Sequence, residues 1–581
     1  MSSTNTGNSA GSLVAQKYHS FRGVDFTDNK TAETRSPDAL NMWKDYKSLG
    51  KLIETRPGLE LQLTMSNAIF GHFFYTINEI DHWIIHSGVS LYDYNPETEE
   101  LKVIKEEGMN PSKSSAFTYN NMFFILDGIN YLEYDGETVK DVVGTIPLTT
   151  IARKPSGGGT QYQDVNLLSD YRKNGFWGDG ESTEYHLDSP EVDATDIKVW
   201  ISDELQEPDT YTVDGVKGIV TFNTAPAKTN DEDNVVIQYR KVVPENINKI
   251  RRCKLTALFD NRVFFSGNQN YPNTLFWCSY NDPRYISDMN YALEGTDMAK
   301  VKAIVPGNNA LWVFKEDSQA NTTVFYHMPL EQYDKRLEDT VKTYPSVHSS
   351  ISTGCRATGI NFNDDIVFFS DRGMEGISGD ITTEQVIAHR SSLVDRKLLN
   401  ESNYKDMVLA EWEGYLLVII DNTIYLADSQ QKATNNDHME YEWFYWELDV
   451  NIKAATVHEG ILYLCSDKGV IYTLTNRNKE REITSYWTTP EEDYGFSQML
   501  KTTNKRGFKS DVSGTDITIE SRTDNNDFEE LGTYKNTKGY IVAKLKKKKW
   551  STIQLKYSSN KPFGIYSIVL ESYVGSYIKR S

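Results

Sequence analysis

The 581-residue chain carries 61 Lys and Arg against 82 Asp and Glu, a formal net charge of −21 at pH 7. A surface that acidic repels nucleic acid in general, though it leaves room for a local basic contact. With 39% apolar and 25% charged residues the chain is folded rather than disordered, and long enough for roughly two to four domains.

The first twenty residues, "MSSTNTGNSAGSLVAQKYHS", are small and polar and lack the apolar core of a signal peptide. No run of about 18 apolar residues occurs anywhere, so no membrane-spanning helix is expected. Residues 1–60 read as an N-terminal arm that runs along other elements before the repeats begin. The repeats open at His82 with "HWIIHSGVSLYDYN", which is echoed from Met122 by "MFFILDGINYLEYD". Each phrase is an apolar run, a short polar turn and an alternating second strand. Looser copies start at Asp260, Asn309, Asp364, Glu413 and Glu459, with successive spacings of 49, 55, 49 and 46 residues. Their turns, among them "SG", "DG", "SDRG" and "SDKG", use residues that adopt turn conformations at low cost. The 35 Tyr, 24 Phe and 11 Trp also favour sheets.

A β-unit repeating every 40 to 55 residues or so predicts a β-propeller, because one small sheet cannot bury both faces and radial packing buries each against a neighbour. Seven phrases predict six or seven blades. The best helical candidate, 391–410, is short. Met122 and Asp260 are 138 residues apart, which leaves an excess that opens with "KPSGGGTQYQ". The runs "IKVWI", "TYTVD", "GIVTF" and "NVVIQY" with turns every eight to twelve residues predict a small β-sandwich at 157–243, inserted into a blade loop. The expected organisation is therefore all-β: arm 1–60, propeller 61–156 and 244–480, inserted β-sandwich 157–243, and a C-terminal β-rich unit 481–581.

Candidate chemistry is sparse. Cys253, Cys278, Cys355 and Cys465 have no zinc spacing, and Cys278 and Cys465 read as buried thiols. His82 and His86 lie on one strand face, but no third ligand is implied, so a partly exposed cross-strand pair is the expectation. "SDRGMEGIS" (370–378) and "SDKGVIYTL" (466–474) differ from a sialidase Asp-box in spacing and lack its terminal Trp, so they read as turns. "GGG" (157–159) reads as a linker and "DED" (231–233) as a solvated loop. No catalytic residue, metal site or cofactor is expected. One charge run stands apart: "AKLKKKKW", with Lys544, Lys546, Lys547, Lys548 and Lys549, preceded by "KTTNKRGFK" (501–509). It reads as an edge protected against aggregation or as a docking surface for an acidic protein partner, ahead of DNA. Trp177 and Trp200 of the insertion are candidate contact residues for a partner.

The stretch 21–60, through "GVD" (23–25), "SPDALNM" (36–42) and "RPG" (56–58), resembles a recurring opening in tailed-bacteriophage structural proteins. "NRVFFSGNQNYPNTLFWCSYNDPRYI", "YWTTPEEDYG" (486–495) and "YRKNGFWGDGESTEYHLD" (171–188) are similar to segments of the same proteins. The resemblance implies the propeller-containing tail nozzle and packaged-DNA stabilisation (neck) proteins. It implies a virion component assembled in host cytoplasm as a homo-oligomeric ring, in contact with portal or adaptor proteins and tail fibres. DNA would pass transiently through the lumen, and no catalytic residues carry over. A receptor- or glycan-binding propeller, with the insertion as recognition head, is the alternative. A propeller glycosidase is a third reading.

Overall fold

The structure, a computed structural model, describes residues 12–577 other than 28–30, 33, 48–52, 97, 379–385, 436–437, 476–481, 504–506, 525, 536 and 546–548. The fold is all-β and propeller-like. Two compact units divide it: residues 1–69, 367–378 and 387–581 form one, and 70–366 and 379–386 the other.

The second unit begins with four antiparallel meanders. They are Ile69–Ile77, Ile80–Ser87, Ser90–Asn95 and Glu100–Lys105; Ser115–Tyr119, Met122–Leu126, Tyr131–Tyr134 and Val139–Asp141; Leu255–Phe259, Arg262–Ser266, Thr274–Trp277 and Tyr291–Leu293; and Val301–Gly307, Ala310–Lys315, Val324–His327 and Ser346–His348. Consecutive apolar residues in their second strands are explained by what each side of the sheet meets. In "MFFIL" Phe123 and Ile125 join a core with Tyr75, Ile84 and Leu91 of the first meander. Phe124 and Leu126, on the opposite face, join Val263 and Phe265 of the third. Phe264 then turns to the fourth meander, against Leu311 and Val313. A strand buried on both faces loses the apolar–polar alternation of a half-exposed one, and side chains of period two fill two separate cores.

A fifth four-stranded sheet runs Gly359–Phe362, Asp365–Ser370, Gly373–Ser378 and Val386–His389. In the first unit a six-stranded sheet holds two further meanders. Tyr415–Ile419 pairs with Val408–Trp412, whereas Thr423–Asp428 pairs with Glu442–Glu447. The same long strand continues to Ile452–His458, which pairs with Ile461–Ser466, and Val470–Thr475 follows. The fourth strand of this last meander comes from the other end of the chain: Gly58–Thr64 pairs antiparallel with Val470–Thr475. The described residues thus hold seven meanders, the upper of the two expected blade counts. The arm enters the repeats at Gly58.

A regular feature separates the first and second strand of all seven. Two successive residues have positive φ at Asn78-Glu79, Asn120-Asn121, Asp260-Asn261, Asn308-Asn309, Asn363-Asp364, Glu413-Gly414 and Glu459-Gly460. Tight two-residue hairpins need that backbone, and Asn, Asp and Gly reach it most cheaply.

In the insertion a six-stranded sheet, ordered Thr160–Gln161, Leu148–Arg153, Tyr171–Phe176, Val235–Arg240, Ile197–Ile201 and Glu204–Leu205, packs on Glu184–His186, Ile219–Phe222 and Tyr211–Asp214. Phe176, Tyr185, Val199, Val220, Ile237 and Tyr239 form the core between them, all fully buried. The sheet takes in residues from Leu148, nine before the start of the 157–243 span. The C-terminal unit is a second pair of sheets. Thr537–Ala543, Phe508–Gly514 and Phe563–Tyr577 lead one, Ser485–Thr488, Ile553–Ser559, Ile517–Thr523 and Glu529–Tyr534 the other. The helical candidate at 391–410 holds only the single turn Asp395–Leu398 and a 3-10 turn, Tyr404–Asp406.

Phe124 is 1% exposed and lies between two meanders. Phe124→Ala is expected to cost about 3–5 kcal/mol of stability, read as a lowered urea midpoint for the 70–366 unit in the full-length chain.

Candidate functional site

The N-terminal motifs meet in one buried interlock of the first unit. Gly23 sits where the arm crosses strand His438–His458; a Cβ there would lie 2.3 Å from the Trp443 carbonyl oxygen, and φ is +150°. Only glycine meets both conditions. Asp25 accepts hydrogen bonds from the backbone N–H and hydroxyl of Thr27, at 3.1 and 2.6 Å. Arg35 donates two bonds of 2.8 Å to the fully buried Glu442 carboxylate, and Arg22 approaches it at 3.7 Å. In "SPDALNM", the Ser36 hydroxyl donates to the Thr488 carbonyl at 2.7 Å, and Asp38 accepts the Tyr486 hydroxyl at 3.0 Å. Asn41, at φ 56°, donates to the Thr484 carbonyl and accepts from both the Glu447 N–H and the Arg56 guanidinium. Arg56 of "RPG" also donates to the Glu447 and Pro57 carbonyls. Tyr486, Thr488 and Glu492 belong to "YWTTPEEDYG", so distant motifs close on one another: the Tyr18 hydroxyl reaches Glu492 at 3.2 Å.

The same arm supplies strands to both C-terminal sheets. Ser12–Tyr18 and Ile53–Thr55 pair with Phe563–Tyr577, and Ala39–Leu40 pairs with Ser485–Thr488. This arrangement holds a scaffold together; its polar groups are used up by hydrogen bonds within it.

Other polar clusters are also self-satisfied. His389 lies between two carboxylates, with Nδ1 3.3 Å from Glu375 and Nε2 2.5 Å from Asp395. Ser391 donates to the other Asp395 oxygen at 2.6 Å. Burial opposes charge on this imidazole, but the Asp395 and Glu375 carboxylates outweigh it and lift the pKa to about 10. With both ring nitrogens committed, this Ser–Asp–His set has no lone pair on His389 with which to activate Ser391. In the second unit His327 is fully buried between the Tyr344 carbonyl and Glu294. His82 bonds Asp93 at 2.7 Å and stacks on Tyr75, while His86 is fully buried beside Ser114. Burial lowers the pKa of His86. The partly exposed pair expected from sequence is thus corrected for His86: the strand's inner face takes it into the core. Among the described residues, no group of three His, Cys, Asp or Glu is placed to hold a metal ion. All four cysteines are free and buried.

In the two Asp-box-like turns the serine makes the local bonds: the Ser370 and Ser466 hydroxyls accept the backbone N–H of Arg372 and Val470. A groove of about 850 Å³ in the first unit is lined by Phe26, Asp38, Arg396, Lys397, Glu491 and Asp493. Lys397 lies 4.0 Å from the Phe26 ring and 4.4 Å from the Tyr445 ring, and burial lowers its pKa.

Lys544 and Lys549 are exposed on the connection after strand Thr537–Ala543; Lys546, Lys547 and Lys548 lie outside the described residues. Lys501 of the preceding basic stretch is fully buried and donates to the Phe496 and Ser551 carbonyls, so it adds nothing to the surface charge. Trp177 and Trp200 are each half-buried rather than exposed, and the Lys173 ammonium lies 5.5 Å from the Trp200 ring.

No protein-family model and no curated protein matches the chain. Among solved structures it is similar to BamB from Moraxella catarrhalis, at 9% identity over 76% of this chain and 98% of that one, TM-score 0.33. The computationally designed Ika8 protein is similar at 11% identity over 72% and 99%, TM-score 0.31. BBS1N in complex with ARL6DN is similar at 9% identity over 73% and 99%, TM-score 0.24. At these scores the fold rests on the sheets described above, not on the likeness.

Two measurements test these buried contacts, one in the interlock and one at His389. Glu442→Ala removes both hydrogen bonds of the half-buried Arg35 and is expected to cost about 1–3 kcal/mol, with early tryptic release of the N-terminal arm. The His389 pKa is raised above the ordinary histidine value. Its contribution to stability is therefore complete below about pH 6.5 and is lost as pH rises to about 10. Melting temperature should fall across that window, and His389→Gln should flatten the fall.

Proposed function

We propose that the chain is a non-enzymatic structural subunit of a tailed-phage particle, one copy in a homo-oligomeric ring of the tail nozzle or head–tail connector. The observation that carries this reading is where the family-like motifs are used. "GVD", "SPDALNM", "RPG" and "YWTTPEEDYG" join the arm, a propeller strand and the C-terminal sheets in one buried network. Residues spent on scaffold geometry suit a protein whose task is to hold shape under load.

The charge supports the same reading. A net charge of −21 on a ring wall repels DNA and lets it slide rather than adhere. Portal or adaptor proteins on one side and tail fibres on the other are the neighbours this role requires, with the virion as the site of action. Trp177 and Trp200, being half-buried, do not present the open aromatic platform that glycan recognition would favour.

A reconstruction of the intact particle is expected to resolve this chain as a ring on the tail axis. A chain missing from the particle, or confined to the fibres, overturns the reading. The purified chain is also expected to show no binding to host cells or glycan panels.

A further inference from the structure

Charge is distributed unevenly along the chain. Residues 481–581 hold 17 Lys and Arg against 12 Asp and Glu, whereas the other 480 residues hold 44 against 70. The most acidic partner surface is the insertion, where 157–243 carries 7 Lys and Arg against 17 Asp and Glu.

The basic side has a defined geometry. Strand register places Val542, Lys509, Val569 and Lys17 in one row across four strands of the seven-stranded C-terminal sheet, on its solvent face. The Lys509 ammonium lies 3.6 Å from the ring of Tyr540, the next residue along that face of the edge strand Thr537–Ala543. Tyr540 is 62% exposed and Val542 49%. Lys538 is exposed beyond them; Asp511 and Glu571 are the acids on the same face. An outer sheet face of this kind, apolar and cationic together, is left uncovered by the described residues of its own sheets.

The acidic side is the tip of the insertion. Glu204–Leu205 is the edge strand of its six-stranded sheet. Leu205 is 61% exposed, between exposed Asp203 and Glu204 on one side and Glu207 and Asp209 on the other. An exposed leucine flanked by four carboxylates complements an exposed tyrosine and valine flanked by Lys509, Lys538 and Lys17, which outnumber Asp511 and Glu571 on the face.

We infer that the acidic tip around Leu205 of one copy docks on the Lys509–Tyr540 sheet face of a second copy, a heterologous contact between unlike surfaces of the same chain. The inference rests on the ring reading and names the surfaces that build it.

Sedimentation of the full-length chain tests it. Self-association is expected, and to weaken as salt rises from about 0.05 to about 0.5 M. Lys509→Glu with Lys538→Glu makes face and tip both acidic; Glu204→Lys with Glu207→Lys and Asp209→Lys leaves three lysines against Asp203 at the tip and makes both basic. Each variant alone is expected to associate at least about tenfold more weakly, and an equimolar mixture to recover association, because a contact between unlike variants again pairs opposite charges. Circular dichroism confirms that each variant is folded. Wild-type rings that ignore both reversals, or a mixture that recovers nothing, overturn the docking and leave the ring reading standing. A wild-type chain that stays monomeric at every concentration overturns both. Loss of binding to a duplex DNA probe in the lysine variant, with self-association intact, assigns the face to nucleic acid and overturns the docking.

Discussion

The fold depends on one constraint: the chain's N-terminal segment must be in place before its C-terminal elements are complete. Gly58–Thr64 supplies the last strand of the seventh meander, and Ser12–Tyr18, Ala39–Leu40 and Ile53–Thr55 extend both C-terminal sheets. Contacts separated by more than 400 residues, such as Arg35 with Glu442 and Thr55 with Ser485, hold the ends together. Such closure costs loop entropy only logarithmically in length. The buried charges add specificity of register: Glu442 tolerates one arrangement of the arm, the one that brings Arg35 to it.

Electrostatics divides the molecule by role. Buried ionic groups are matched inside it, as with His389 between Glu375 and Asp395, or Lys315 with Asp297 and the Glu294 carbonyl. Unmatched charge is left on surfaces, acidic over most of the chain and basic on the C-terminal sheet. A surface built in that way repels copies in most orientations and accepts few, which is how charge supplies specificity more than affinity.

Much of the repeat was readable because its physics is local. Apolar runs of five residues ending in a polar turn mark strands buried on both sides, and seven phrases correspond to seven meanders. The hairpins carry a second local signal. The pairs Asn120-Asn121, Asp260-Asn261, Asn308-Asn309 and Asn363-Asp364 stand just before each second strand and mark the hairpin by backbone conformation. The lysines were harder to read, since "KTTNKRGFK" does not say that Lys501 points inward to two carbonyls while Lys509 points out to Tyr540. His86 belongs to the same class: its face of the strand was predictable, its full burial was not.

Sequence alone determined the strand-rich class and the repeat, because turn chemistry and side-chain alternation act over a few residues; the insertion expected within a blade instead lies between the second meander, which ends at Asp141, and the third, which begins at Leu255. The N-terminal motifs could be recognised as words but not as a structure. That Gly23 packs on the Trp443 carbonyl, that Asn41 and Arg56 share a partner strand, and that Gly58–Thr64 closes the last meander are decided by pairing between distant segments. Those contacts carry no local signature; their free energy exists only once the intervening sheets have brought the two ends of the chain together.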